Sequence, residues 1–441
     1  MTIVDRVDSS STSAPADAHL PPPRSPVRLR FVGHRGDYWR LMIRGGVLQA
    51  VTLGIYRFWL FTDMRRFLWA STEVDGETLE YTGTPIELLI GFLIAVGILA
   101  PVYALLFAAS LELGILSPLS GIAAFVVLAA FGQYAAFRAR RYRLTRTVFR
   151  GLRFHQSGSA VRYALRAMLW WLAIALTLGL ASPWATANLE RYKMRNTFYG
   201  SLGGSFAGSA GRLFWRGVLI WLAVIGPLAA GLVAAAALID WPAVMQALGR
   251  GNVASFDAAM KGNERTMVGI GALAAAATWS MLFAVILYPA YQAIVMRWWL
   301  GGVRIGGAVA ASDLQMRRYY FAYLRYLLYV ALFSIAFAVV ALLVLRLAHA
   351  SSNFTSASIL RDGVAGPDVI LAAVAGIVAY VIYILGVSTI YQVVVKMRLW
   401  QAAVESVMIS GIVALDHVQA GEATASAVGE GLADALGAGA I

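Results

Sequence analysis

The chain has no cysteine among its 441 residues. That excludes a disulfide framework, a thiolate metal centre and a cysteine nucleophile. Charge is scarce too, at 13% of residues, and acidic groups are the scarcer kind, with 23 Asp and Glu against 36 Lys and Arg. The five histidines, His19, His34, His155, His349 and His417, fall at no metal-ligand spacing. No nucleophile elbow, Walker loop or paired-carboxylate motif occurs. The chain therefore reads as non-enzymatic, with no metal or cofactor. The first 26 residues are rich in Ser, Pro and Ala and hold no apolar signal-peptide core, so they read as a disordered tail rather than a cleaved leader.

Apolar side chains fill the space that charge leaves. Hydrophobic residues make up 60% of the chain, and the mean hydropathy is +0.70. Six stretches run without a charged residue: Leu88 to Ala109, Leu113 to Phe137, Gly217 to Ile239, Met267 to Met296, Tyr326 to Leu345 and Val369 to Val395. Each is long enough to cross the hydrocarbon layer, which takes about 20 helical residues. Backbone polar groups in lipid must be satisfied within the segment, so these runs are helices, and no alternating pattern of a membrane barrel occurs. The fold class is an all-α polytopic membrane protein.

Two further segments are ambiguous. Leu41 to Phe61 is interrupted by Arg44 and Arg57, and Ala167 to Leu189 is broken by Gly179, Ser182 and Pro183. If both dip in and return, 26 Lys and Arg lie on the side of the chain ends and 4 on the other; if both cross, the split is 16 to 14. Crossing at the second alone gives 20 to 10. Positive charge in short loops is retained in the cytoplasm, which favours six spans, two re-entrant or interfacial helical segments and cytoplasmic termini. The location expected is a bacterial inner membrane.

The two odd segments match at an offset of 125: Thr52-Leu53-Gly54 with Thr177-Leu178-Gly179, Trp59 with Trp184, and Arg66 with Arg191. Thr72, Tyr81, Gly83 and Thr84 align with Thr197, Phe206, Gly208 and Ser209, while Thr147, Gly158 and Ser159 keep the same spacing. This reads as duplication in parallel copies. Residues 29–160 form a first membrane repeat with a re-entrant segment at 38–61, and 161–318 a second with its segment at 163–189. A pair of spans follows in 319–400. Residues 1–28 and 401–441 are tails, the latter acidic and rich in Ala and Gly, expected to meet the basic loops. The repeated Thr-Leu-Gly reads as a helix break, with Trp59 and Trp184 as interfacial anchors. Asp75-Gly76 marks a short β-hairpin, and Gly151-Leu152-Arg153-Phe154 echoes Gly302-Val303-Arg304-Ile305.

Together these motifs resemble the YjgN family of bacterial inner-membrane proteins, defined by a domain of unknown function (family 898). The resemblance is carried by Phe31-Val32-Gly33 with Asp37-Tyr38-Trp39, Val51 to Trp59, Thr72 with Asp75-Gly76 and Tyr81-Thr82-Gly83, Arg150 to Phe154, and Leu176 to Trp184. It covers roughly Leu29 to Gln401. Arg57-Phe58 departs from the family's more frequent Pro before Trp59. The resemblance implies a multi-pass inner-membrane protein and supplies no substrate.

Candidate chemistry lies in two places. Arg138, Arg140, Arg141, Arg143, Arg146, Arg150 and Arg153 form the densest basic run, which serves either as an anionic-lipid or phosphate contact or as a topology anchor. A duplex has little room at the lipid surface, so nucleic acid is not a partner. Arg44, Arg57 and Glu87 are the candidates for an intramembrane polar site, with snorkelling to the headgroups as the alternative for the two arginines. Arg166 and Glu190 flank the second odd segment. Gly200 to Ser205 imitates a phosphate loop in composition alone. Pro101, Pro118, Pro227 and Pro289 fall within spans and are read as kinks. A transport, channel or lipid-handling role is the first reading. A membrane scaffold or envelope-stress component binding a protein partner is the second, and a small-molecule ligand and an oligomer stay open.

Overall fold

A computed structural model describes residues 25–112, 117–249, 263–351, 367–416 and 418–419. The N-terminal tail before residue 25 and the C-terminal tail from 420 onward lie outside the described residues. Six segments are long and apolar enough to cross a membrane: Pro85–Ala108, Gly121–Thr145, Ala210–Leu238, Glu264–Leu300, Met316–Leu347 and Ala373–Glu405. They belong to helices α3 (Pro85–Glu112), α4 (Ser117–Thr145), α7 (Ala210–Leu238), α9 (Glu264–Leu300), α10 (Met316–Ser351) and α11 (Pro367–Tyr391), the last continued by a π-helical turn, Gln392–Lys396, and α12 (Met397–Glu405), while a short α8 (Trp241–Gly249) follows α7. Their outer faces carry Leu, Ile, Val and Phe at high exposure, such as Leu105, Phe125, Leu219 and Leu342. Such a surface belongs in lipid, and the protein is polytopic and all-α. Of the four prolines, Pro101, Pro227 and Pro289 lie inside helices, whereas Pro118 is the second residue of α4, where its missing N–H costs no helical bond.

The two ambiguous segments are helical hairpins of equal build. Helices α1 (Arg35–Val51) and α5 (Ala160–Leu176) have 17 residues each, and their returns α2 (Arg57–Ala70) and α6 (Ser182–Arg195) have 14 each. The tips are the repeated Thr-Leu-Gly. Leu53 and Leu178 sit at φ 50° and 49°, Gly54 and Gly179 both at 92°. The Gly54 amide bonds the Gln49 carbonyl at 2.8 Å and Gly179 bonds Ile174 at 2.7 Å, the six-residue closure that ends helices at a left-handed residue. Thr52 Oγ1 accepts from the Tyr56 amide and Thr177 Oγ1 from Ala181, both at 3.0 Å, so each threonine starts the return helix. Pro183 fits at the first turn of α6. Trp59 stacks on Tyr56, and Trp184 tilts against Phe214.

At one end of the bundle the connecting strands meet. They are β1 (Val27–Arg28), β2 (Arg30–Phe31), β3 (Thr72–Val74), β4 (Glu77–Thr78), β5 (Glu80–Tyr81), β6 (Thr147–Phe149), β7 (Leu152–Gln156), β8 (Thr197–Tyr199), β9 (Leu202–Phe206), β10 (Val303–Ile305), β11 (Ala308–Ser312) and β12 (Val407–Ser410). One sheet runs β1-β12-β11-β10-β9-β8-β7-β6-β5 and the other β2-β3-β4, all antiparallel. Leu29 joins β1 to β2 and Leu79 joins β4 to β5; the amide of each bonds across a seam, to Val407 and to Thr72. Pairing therefore runs full circle through ten short segments, with no strand edge left among the described residues. Val74, Phe149, Tyr199, Ile305 and Ile409, each the third residue of its strand, pack inside with Ile412. A barrel this small is filled by side chains.

Asp75-Gly76 turns β3 into β4 as the sequence predicts. Gly200 to Ser205 is the turn and start of β9, an ordinary hairpin. Gly302-Val303-Arg304-Ile305 leads a first strand and Gly151 to Phe154 a second, so their likeness is not one of structural position. Residues 397–410 are helix and barrel strand, and the following residues Ile412–Leu415 form a 3-10 turn into the barrel core.

Candidate functional site

Thr72, Thr147 and Thr197 open their strands with the same bond, Oγ1 donating to the carbonyl four residues back, each at 2.8 Å. Beyond each hairpin, Thr84, Ser159 and Ser209 accept the amide three residues on and so start α3, α5 and α7. The fourth residue past the cap, Leu88, Tyr163 or Leu213, is buried. An arginine closes each unit. Arg66, Arg141 and Arg191 donate to the carbonyls of Gly83, Gly158 and Gly208, always 17 residues on. This brace pins the exit helix of one membrane pair to the entry helix of the next. Arg66 and Arg191 align in the sequence, but Arg141 is hidden there by the arginines around it.

The rest of the basic run is similarly divided. Arg146 meets Glu87 at 2.8 Å, and Tyr142 donates to the other oxygen of that carboxylate at 2.7 Å. Arg150 lies between Asp75 at 3.0 Å, Glu77 at 3.1 Å and Asp416 at 2.6 Å. Partial burial opposes its charge, but the attraction of Glu77 and of Asp416 and Asp75 wins, so its pKa stands above the ordinary value. Of the acidic C-terminal residues, Asp416 meets the basic run, and Glu422, Glu430 and Asp434 lie outside the described residues. Arg138 lies over the Tyr134 ring at 6.0 Å, and Arg153 is exposed on β7. The three candidates for an intramembrane site have these neighbours. Glu87 takes its partners from α4, Arg44 is exposed on α1, and Arg57 lies over Phe58, Phe61 and Phe92 at 5.4 to 5.8 Å. A guanidinium over aromatic faces is stabilised by cation–π attraction.

The most concentrated buried charge surrounds Glu190 on α6, 9% exposed. Lys193, one turn on, pairs with Oε1. Arg140 of α4 is 3.7 Å from Oε2, and the Trp299 indole of α9 donates to the same oxygen at 3.0 Å. Arg143 is close enough for its charge to act on Lys193. Burial lowers the Lys193 pKa, Glu190 acts against that, and Arg140 and Arg143 reinforce it. The sequence marks Glu190 only as a charge beside a helix break; its role as a junction of α4, α6 and α9 depends on residues as far as 109 positions away.

No group of three or more His, Asp or Glu among the described residues could hold a metal ion. No curated protein and no solved structure matches the chain. A family model does, over residues 26–435, and the chain belongs to that family, described as a bacterial protein of unknown function (DUF898).

Proposed function

We propose that the chain is a non-enzymatic lipid-handling protein of the bacterial inner membrane, with the strand barrel and both chain ends in the cytoplasm. The reading rests on the two hairpins that stop part-way across the bilayer. Helix α1 follows its strand as α3 follows its own, but α1 has 17 residues and α3 has 28. At about 1.5 Å per residue the tip lies roughly 17 Å short of the far end of α3, in a hydrocarbon layer about 30 Å thick. Leu53 is 89% exposed and Leu178 55%, so each tip offers lipid an apolar knob. Above each tip the far leaflet loses a protein wall, and a headgroup passing there crosses a shorter apolar path. The side-chain core of the barrel gives no support to a solute channel along its axis. The closed ring leaves no strand edge for a partner to extend, so the scaffold reading also has less support. The position of the arginines supports the orientation, and the recurring braces and caps support descent from repeated units.

The test is lipid exchange between leaflets. Purified protein is placed in vesicles holding a fluorescent phospholipid, and a membrane-impermeant reductant is added. Protein-dependent loss of the protected fluorescence, in vesicles that retain a soluble dye, is expected. Protected fluorescence equal to that of empty vesicles would overturn the reading.

A further inference from the structure

We propose that Arg35, Arg325 and Arg398 together bind the phosphate of an anionic phospholipid in the leaflet on the barrel side. Helix α10 starts from strand β11 and α12 ends at β12, so the two pack side by side in opposite senses. They are pinned where Arg318 meets Glu405 at 2.9 Å. Seven residues from that pair along each helix stand Arg325 and Arg398, two turns and about 10 Å away from the barrel, at one level and on the faces that carry the pair. Between the levels Gln401 donates to Glu405 at 2.7 Å and accepts from Arg35 of α1 at 3.2 Å. The rungs thus pass from an ion pair, to an arginine on a neutral amide, to two arginines. The charges of Arg325 and Arg35 both act on Arg398. Among the described residues Arg325 and Arg398 make no ion pair or hydrogen bond. Helix α10 contains no acid, and the single acids of α1 and α12, Asp37 and Glu405, are held by Arg40 and Arg318. The surroundings suit a lipid headgroup. Arg35 and Arg325 are exposed and Arg398 is half-buried. Leu324 and Leu328 flank Arg325 at 62% and 57% exposure, a surface for acyl chains. One turn on, Tyr329 meets Trp39 of α1 edge-on at 6.5 Å, an aromatic pair of the kind that marks the membrane interface. Guanidinium forks match phosphate oxygens, and basic groups between membrane helices take anionic headgroups. The site does not rest on the lipid-handling reading, since a lipid held without being moved fills it equally.

The experiment is native mass spectrometry of the full chain released from micelles holding equal amounts of phosphatidylglycerol and phosphatidylcholine. Wild type is expected to keep phosphatidylglycerol in preference. Arg325→Gln and Arg398→Gln are each expected to keep it about tenfold less, the loss of one charge-assisted hydrogen bond. Arg44→Gln removes an exposed arginine of α1 outside the site and is expected to leave retention unchanged. Melting temperatures without lipid establish that the variants are folded, and added phosphatidylglycerol is expected to raise that of wild type more than that of Arg325→Gln or Arg398→Gln. Equal retention of the two lipids by wild type, or an equal loss on Arg44→Gln, overturns the site. Displacement of the lipid by inorganic phosphate assigns the site to phosphate generally, and lipid that stays bound assigns it to the headgroup with its chains. Selective retention without exchange between leaflets overturns the lipid-handling reading alone, and exchange without selective retention overturns the site alone.

Discussion

Replacing Thr52 or Thr177 with valine removes one oxygen and keeps the branched shape. At position 52 the Tyr56 amide loses its acceptor, and at 177 the Ala181 amide does. The carbonyls to which the hydroxyls donate, Leu48 and Ala173, keep the backbone amides of residues 52 and 177, so each variant leaves a single N–H without a partner. An unsatisfied donor shielded from water costs about 1–3 kcal/mol, and hydrocarbon places the value at the upper end because no water replaces the oxygen. Thr→Ser at either position keeps the bond and is expected to stay within about 0.5 kcal/mol of wild type. The two tips share no partner, so the double valine variant is expected to lose roughly 2–6 kcal/mol, the sum of the two. Unfolding in mixed micelles with a denaturing detergent, followed by circular dichroism, measures the loss. Valine and serine variants of equal stability would refute the reasoning, since water would then be reaching the tips and supplying the missing bond.

Three further outcomes are expected. Arg191→Met breaks the brace to the Gly208 carbonyl and should lower stability by about 1–3 kcal/mol, read as a fall in melting temperature. Ile412→Ala opens a cavity in the barrel, where Ile412 is 1% exposed, and should cost about 2–5 kcal/mol, with faster amide exchange in residues 407–410 than in the helices. His155 stacks on Phe198, and burial lowers its pKa below 6.5. The unfolded chain therefore takes up that proton first, and the stability His155 contributes above about pH 6.5 is lost as the pH falls. His155→Phe should flatten that acid-side fall in melting temperature.

Much of the membrane part is legible because lipid imposes simple demands. Uncharged runs mark six spans, and identical Thr-Leu-Gly triplets mark two tips whose backbone angles agree within a degree. The hairpin at Asp75-Gly76 is legible for a local reason, the left-handed turn that pair accepts. The ring of strands is not legible. Its members are two to five residues long, too short for an alternating pattern, and Leu202–Phe206 is rich in glycine while Ala308–Ser312 is rich in alanine. The seam that closes it pairs Val27 with Ile409, a contact no local window contains. The basic run was visible as charge but not as function. Arg141 braces the Gly158 carbonyl, and the acids that Arg146 and Arg150 meet, Glu87, Asp75 and Asp416, are scattered along the chain.

The strand that completes the barrel is made after every other strand of the ring. Val27–Arg28 is made before the other strands but pairs with Val407–Ser410, so about 380 residues of membrane insertion separate one side of the seam from the other. Until then the assembling protein presents two open strand edges, at β1 and at β11, the kind of surface that recruits misfolded neighbours. A polypeptide ending before residue 407 keeps both edges open, together with the unfilled place of Ile412 in the barrel core.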